Sequence, residues 1–275
     1  MTRLAAFLRN VSVEKYQADY SSDSFFSCLE HSGVIESASD ARLKAETKQA
    51  CVFENYFDKA QSRKFFHGPT EIMALAKKYH RNYPHWCSRT LSQVESEHRS
   101  GYFTYALRTG PLVQGYNWNG HTDTPGRDIQ FRKKSHRFSF LPRMVIAATS
   151  DLSVLIWIRE ILSDWVDYAG SARGELAFDS NLAVIQRLMS CCWSWLILRS
   201  IEGHDTANVL RLTLLKIIRV DIQFLAPRLG TSYANNHLLA DYFCGWLITR
   251  LFPEFALGSI DATVDFEQRW VDELL

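Results

Sequence analysis

Apolar residues recur at helical spacing through the second half of the chain, and this feature restricts the possible fold most strongly. After Asp151, a candidate N-cap, they occupy one helix face at Val154, Ile158, Ile161, Leu162 and Trp165. The spacing repeats from Leu182 to Trp195 and from Leu210 to Phe224, with one polar interruption at Asp221. No alternating pattern of similar length indicates a strand. The sequence therefore predicts an all-α fold.

A fourth helix is predicted from about Asn236 to Phe252, because Pro253 follows and a chain usually leaves a helix before proline. Helices of this length joined by short loops pack as antiparallel pairs. We therefore predict helical hairpins. The pattern alone leaves a bundle, a solenoid and a closed toroid open.

The first 90 or so residues have a different texture, with serine-rich polar stretches between short apolar patches. A short helix is predicted after Pro69 and Thr70. The predicted domain organisation is thus a mixed helical and irregular N-terminal extension over residues 1–90, followed by a helical domain over residues 91–275.

Composition excludes several classes of protein. Apolar residues make up 47% of the chain, enough for a sizeable core, and the net charge of +1 gives no support for nucleic-acid binding. The six cysteines form no CxxC pair, and His80, His85 and His98 lack the spacing of a helical metal pair. We predict no metal and no cofactor.

No secretory signal is evident at the N-terminus, and the longest apolar run, Leu188 to Leu198, is shorter than the roughly 20 residues that span a bilayer. We predict a soluble chain with no membrane partner, and the compartment stays open.

Two segments before the predicted helices carry candidate ligand-binding residues. Tyr102 to Asp128 is rich in glycine, proline and aromatic residues and reads as a loop, in which Trp118 either contacts a ligand or plugs the core. A basic cluster follows, which is either a solvated face or a wall facing an anionic substrate. Its members are Arg127, Arg132, Lys133, Lys134, His136, Arg137 and Arg143.

The sharpest local signal is Asn235-Asn236-His237 at the start of the fourth helix. One asparagine suffices as an N-cap, so the remaining polar side chains exceed what capping requires. Backbone amides and the helix dipole favour an anion here. Asp241 lies four residues after His237, on the same helix face, where it would orient the imidazole. The residues alone leave a capping role and an anion-binding role open.

The segment NNHLLADYFCGWLITRLFPEF resembles the helix that closes the N-terminal domain of heparinase II/III-like polysaccharide lyases. The family shows Asn-Asn-His, an acidic residue four positions later and a Phe-Pro-Glu end. Weaker similarities occur in order over residues 95–265: Tyr102 to Trp118, Gly126 to Phe138, and Asn181 to Trp195 with Arg187. The resemblance implies an incomplete (α/α) toroid and an acidic polysaccharide as partner.

The chemistry implied by this resemblance is β-elimination on a uronate-containing polysaccharide of the heparin, heparan or alginate type. Asn236 would neutralise the uronate carboxylate, and His237 would assist neutralisation or proton transfer. Asn235, Trp118 and His136 would contribute to substrate binding. Arg137 and Arg187 would hold substrate anions, although an interhelical salt bridge is an equal alternative for either.

The family also places a catalytic tyrosine some tens of residues beyond the Asn-His pair and adds a β-sheet domain. Leu275 lies 38 residues after His237, and Tyr242 is not a positional match. The resemblance therefore implies a truncated chain whose β-sheet domain is absent, separate or downstream, so enzymatic activity stays open. The alternatives are a noncatalytic glycan-binding domain and an α-helical interaction scaffold.

Overall fold

The computed structural model describes residues 16, 18–42, 44, 46–59, 69–100, 102–105, 108–111, 118, 135–172, 174–232, 234–257, 260 and 264–274. The N-terminal segment considered for a signal, and the segment from Gly126 to Phe131, lie outside the described residues. Of the predicted basic cluster, only His136, Arg137 and Arg143 are described.

The described chain is predominantly helical, so the predicted all-α class is confirmed. The α-helices are α1 (Ser22–His31), α2 (Ala38–Arg42), α3 (Glu46–Lys59), α4 (Pro69–Asn82), α5 (Pro84–Ser100), α6 (Leu141–Ala148), α7 (Val154–Gly170), α8 (Asn181–Leu198), α9 (Asp205–Leu225), α10 (Asn236–Leu251) and α11 (Phe266–Leu274). Short 3-10 helices span Gly174–Phe178, Ala226–Arg228 and Pro253–Ala256.

One small sheet interrupts the helices. Strands β1 (Tyr102–Tyr105) and β2 (Arg108–Pro111) pair antiparallel, with Tyr102 opposite Pro111. The loop predicted from Tyr102 to Asp128 therefore begins as a hairpin. Trp118 is the one described residue of the remainder of that segment.

The three helices predicted from apolar spacing are confirmed as α7 to α9, and the fourth predicted helix is confirmed as α10. The hydroxyl of Ser180 accepts from the backbone N–H of Ala183 at 3.3 Å and caps α8. The predicted cap Asp151 accepts instead from the N–H of Ser153 at 2.9 Å, one residue before α7 begins. Pro142 lies in the first turn of α6, where its missing N–H costs no helical hydrogen bond.

The centre of the molecule is the antiparallel pair α8 and α9. Helix α3 and helix α7 pack on α9, while α6 and α10 pack on α8. Both central helices bury residues all around, since neighbours surround them. The arrangement is a packed set of helical hairpins, and its closure into a toroid stays a proposal.

Helices from the predicted N-terminal extension contribute to the same core. Phe53 of α3 is buried and stacks on Phe255 with ring centroids 5.1 Å apart. Beside it, the carboxylate of Glu54 accepts from Trp195 of α8 at 3.2 Å and lies 2.9 Å from the Arg211 guanidinium of α9. Residues on both sides of position 90 therefore share one hydrophobic core, and the predicted division into two domains stays a prediction.

Helix α8 is also the one helix in the described part of the chain with the length and composition of a membrane span, over Asn181–Leu198. It is surrounded by other helices of the core, with 61% of that window buried. Core helices meet the same criterion, so the feature gives weak evidence for a membrane.

Helix α11 packs against α10 at Gly245, where α10 has no side chain. A Cβ built on the buried Gly245 would lie 2.3 Å from the Phe266 ring of α11, so only glycine leaves room for that ring. Phe243 and Trp270 extend the contact, with ring centroids 5.5 Å apart. Trp246 donates to the carboxylate of Glu267 at 3.2 Å.

This contact predicts that Gly245→Ala destabilises the protein, although replacing a helical glycine with alanine usually stabilises it. In an open helix interior the change would stabilise the protein by roughly 0.5–1 kcal/mol, whereas here the added methyl should destabilise it by about 1–3 kcal/mol through overpacking. Chemical denaturation measures the difference. In a Phe266→Ala background the same change should cost nothing further, and an equal cost in both backgrounds would contradict the assigned clash.

Candidate functional site: the amino terminus of helix α10

Asn235 caps helix α10. Its backbone is extended (φ −167°, ψ −160°), and its side-chain oxygen accepts from the backbone N–H of His237 at 2.7 Å. This geometry is that of an N-cap, which satisfies one amide that the helix leaves unpaired. The structure therefore confirms that Asn235 caps the helix, and its substrate-binding role stays a prediction.

The next two side chains keep different amounts of solvent exposure. Asn236 is exposed and His237 is half-buried in the first turn of a 16-residue helix. The positive end of the helix dipole therefore coincides with an accessible amide and an imidazole. This arrangement can bind a carboxylate, as an amide N–H and a ring N–H both donate to oxygen.

Asp241 is fully buried, and it holds the preceding loop in place. Its two oxygens accept from the backbone N–H groups of Gly230 and Ser232, both at 3.2 Å, and from the side-chain amide of Asn181 at 3.3 Å. Burial raises the pKa of this carboxyl, while these donors act in the opposite direction. The predicted role of orienting the His237 imidazole does not match these partners.

Asn181, at the start of α8, is a residue of this region that the sequence did not single out. Its amide donates to the carbonyl of Arg228 at 3.2 Å as well as to Asp241. It thereby joins the starts of two helices to the loop between α9 and α10. Its position directly after the capping residue Ser180 was the one available signal.

The loop also requires its glycine. Gly230 has a positive φ of 74°, which side chains other than glycine rarely adopt, and its Cβ would lie 3.3 Å from the Tyr242 ring. Asp241 and Tyr242 thus both contact the loop that precedes Asn235. The position of the helix start is determined by interactions that come from later in the same helix.

The other predicted site residues form a second group in the interior, centred on Arg187. Its side chain is completely buried and meets the Asp221 carboxylate of α9 through Nη2 at 2.6 Å and Nε at 3.0 Å. Nη1 donates to the carbonyls of His136 and Ala177 at 3.1 and 2.7 Å. The guanidinium has no surface left for a polysaccharide, so the interhelical salt bridge is the interpretation that the structure supports.

His136 is likewise fully buried. Its Nε2 donates to the carbonyl of Trp118 at 2.9 Å, and its Nδ1 accepts from the Trp165 indole at 3.1 Å, which selects one neutral tautomer. Burial, reinforced by the Arg187 charge, lowers the pKa of His136 to about 3. A neutral, enclosed imidazole does not contact a substrate anion, so the predicted binding role is not supported.

Trp118 is a core side chain. It is 3% exposed, and its indole N–H donates to the Asp164 carboxylate at 2.6 Å. Of the two interpretations from sequence, a core-filling role for Trp118 fits this placement.

Arg137 is half-buried, and burial lowers the pKa of its guanidinium. Its carbonyl accepts from the Ser190 hydroxyl at 3.2 Å, which ties this turn to α8.

Comparison of the chain with protein-family models, with curated proteins and with solved structures found no match. Within the described residues, no group of three or more His, Cys, Asp or Glu side chains is arranged to hold a metal ion. The family assignment therefore stays a proposal that depends on the chain's own residues.

Removing one partner of the buried ion pair should be far more costly than removing a surface charge. We expect Arg187→Met to lower the free energy of unfolding by about 3–5 kcal/mol, because it leaves a buried carboxylate uncompensated. Denaturant titration measures the loss. Lys59→Met is the matched control: it removes an exposed cation at the end of α3, and should change the free energy of unfolding by about 0.5 kcal/mol or less. Similar losses in both variants would contradict the assigned role.

His136 should make the protein less stable in mild acid. Its pKa is depressed from 6.5 to about 3 in the folded state, so below pH 6.5 the unfolded chain binds a proton that the folded chain does not. The contribution of His136 to the free energy of unfolding is fully present above about pH 6.5. It falls by up to about 1.4 kcal/mol per pH unit as the pH decreases toward 3.

The comparison that isolates this effect uses His136→Gln. Its free energy of unfolding should depend less on pH between 6.5 and 5 than that of the wild type. Asp221 opposes the effect in wild type and variant alike, because burial raises the pKa of its carboxyl and the folded chain takes up a proton there as the pH falls. Parallel pH profiles would show that His136 is not held neutral by the fold.

Proposed function

We propose that this chain is the helical domain of a polysaccharide lyase that acts on uronate-containing polysaccharides. The proposal depends on one observation at the start of α10: one polar residue caps the helix, and the next two are not used for capping. Asn235 provides the cap, which leaves the exposed Asn236 amide and the His237 imidazole available at the positive end of the helix. The resemblance to heparinase II/III-like lyases assigns these two residues to a uronate carboxylate.

The chemistry requires such a site. The C5 proton of a uronate can be removed only when the neighbouring carboxylate is neutralised, since negative charge accumulates there as the proton leaves. Donors aimed at that carboxylate stabilise the enolate-like transition state more than the ground state. Asn236 would donate through its amide, and His237 would donate or transfer a proton.

Donors that are held rigidly in place stabilise a transition state better than mobile ones. Asp241 fastens the loop from Gly230 to Ser232, and Asn181 connects that loop to α8. Donors held before the substrate arrives need little reorganisation during the reaction. In this proposal the described residues would bind the carboxylate, and no base is assigned among them.

A noncatalytic glycan-binding domain is the second candidate. The observation that favours it is the burial of Arg187 and His136, two of the residues that the resemblance assigned to substrate. The remaining accessible donors, Asn236 and His237, suffice to bind a carboxylate but do not by themselves complete an elimination.

The test measures binding and turnover with the same polysaccharides. Alginate, heparan sulfate and chondroitin sulfate are titrated by calorimetry, and ultraviolet absorbance detects any unsaturated uronate product. We expect Asn236→Ala and His237→Ala each to weaken binding about tenfold, the equivalent of one good ligand contact. Their unfolding transitions should match the wild type, because both side chains are accessible to solvent.

Two controls separate binding from folding. Asn55→Ala removes an exposed asparagine from α3 and should leave affinity unchanged. Asn235→Ala should destabilise the helix by about 1 kcal/mol, and Asn235→Ser should restore it as an alternative cap. Wild-type affinity in both Asn236→Ala and His237→Ala would refute the proposal. Product formation favours the lyase, and binding without product favours the glycan-binding domain.

A further inference from the structure

The junction of α4 and α5 presents an unusual surface, which we call the α4–α5 corner (residues 77–89). Tyr83 alone separates the two helices, and its backbone N–H donates to the carbonyl of Tyr79 at 2.8 Å. His80 Nε2 lies 2.9 Å from the Thr149 hydroxyl at the end of α6. The corner is therefore a defined element that is attached to the helical core.

Three aromatic side chains of the corner are exposed together. Tyr79, Tyr83 and Trp86 are 37%, 57% and 43% exposed. The Tyr79 ring centroid lies 4.9 Å from those of both Tyr83 and Trp86, at interplanar angles of 39° and 84°. Leu75 of α4 is also exposed, at 45%. Scattered surface aromatics need no explanation, but a contiguous group of this kind indicates a binding surface.

The same corner is positively charged. Residues 77–89 contain Lys77, Lys78, Arg81 and Arg89 and no acidic residue, and all four cations are exposed. None of them forms an ion pair within the part of the chain that the structure describes. Arg89 lies one helical turn after Trp86 and so shares its helix face, while Lys77, Lys78 and Arg81 add positive charge around the same corner.

We propose that the α4–α5 corner binds an acidic polysaccharide, as a second contact surface in addition to the start of α10. This inference rests on the proposed function, which supplies the class of ligand. A sugar ring offers an apolar C–H face to an aromatic ring, and its hydroxyls can reach the polar ends of Tyr and Trp. Its carboxylates or sulfates pair with lysine and arginine.

Charge distinguishes this ligand from nucleic acid. Proteins that follow a phosphate backbone usually carry a basic stripe or a large basic excess, whereas the whole chain has a net charge of +1. Four local cations beside three tilted rings suit a few anionic sugar units. The corner would lengthen the contact with a polymer, which raises affinity for long chains more than for short ones.

The experiment compares long alginate or heparan sulfate chains with tetrasaccharides of the same composition. Tyr83→Ala/Trp86→Ala should weaken binding of the long chains about tenfold and change tetrasaccharide binding little. Lys78→Gln/Arg89→Gln should reduce the dependence of long-chain affinity on salt. Leu152→Ala and Lys59→Gln, which alter an exposed apolar and an exposed cationic residue elsewhere, are the matched controls.

The outcomes distinguish this inference from the proposed function. Normal long-chain binding in both double variants, combined with weak binding in Asn236→Ala, would overturn the role of the corner alone. Long-chain binding that requires the corner but not Asn236 or His237 would support the corner and overturn the carboxylate site. A polyuridylate oligomer that binds more tightly than either polysaccharide and needs Trp86 would also overturn the assignment of a glycan.

Discussion

The buried ion pair between Arg187 and Asp221 is the interaction on which the rest of the structure depends. It joins α8 to α9 at the centre of the core, and the N–H groups on Nη1 donate to carbonyls of the turn before α6 and of the 3-10 helix before α8. The guanidinium also lies 4.7 Å from the Trp165 ring centroid. Two charges withdrawn from water are costly unless they are paired and hydrogen-bonded, so this network favours the observed placement of these four elements.

That requirement explains the environment of His136. Its carbonyl accepts from Arg187, so its ring is drawn into the interior, where the indole of Trp165 and the carbonyl of Trp118 complete its hydrogen bonds. Phe138, two residues later, adopts a positive φ of 54° with its ring fully buried. The strain of this conformation is compensated by packing against Trp165, with ring centroids 4.8 Å apart.

The polar groups at the start of α10 have two different roles. Some form hydrogen bonds with the backbone, and others remain accessible to solvent. Asn235 and Asp241 direct their oxygens to backbone amides and so build the helix start and its loop. Asn236 is exposed and His237 is partly exposed, and neither side chain supports the loop in this way. A short polar motif therefore combines a structural half with an accessible half, and only the accessible half carries the proposed function. The cationic and aromatic α4–α5 corner adds a second accessible surface of compatible chemistry.

Apolar spacing determined α7 to α9 and the all-α class, because a helix that faces a core must repeat its apolar residues every three to four positions. Pro253 marked the end of α10. The motif also predicted an asparagine cap at the start of α10, and the structure shows that this cap is Asn235. Sequence did not decide that Asp221, which interrupts the apolar face of α9, is the partner of Arg187, nor that His136 is neutral and enclosed. Those properties arise from contacts between residues far apart in the chain, and solvation, which sets the state of a charge, is defined only after the helices pack.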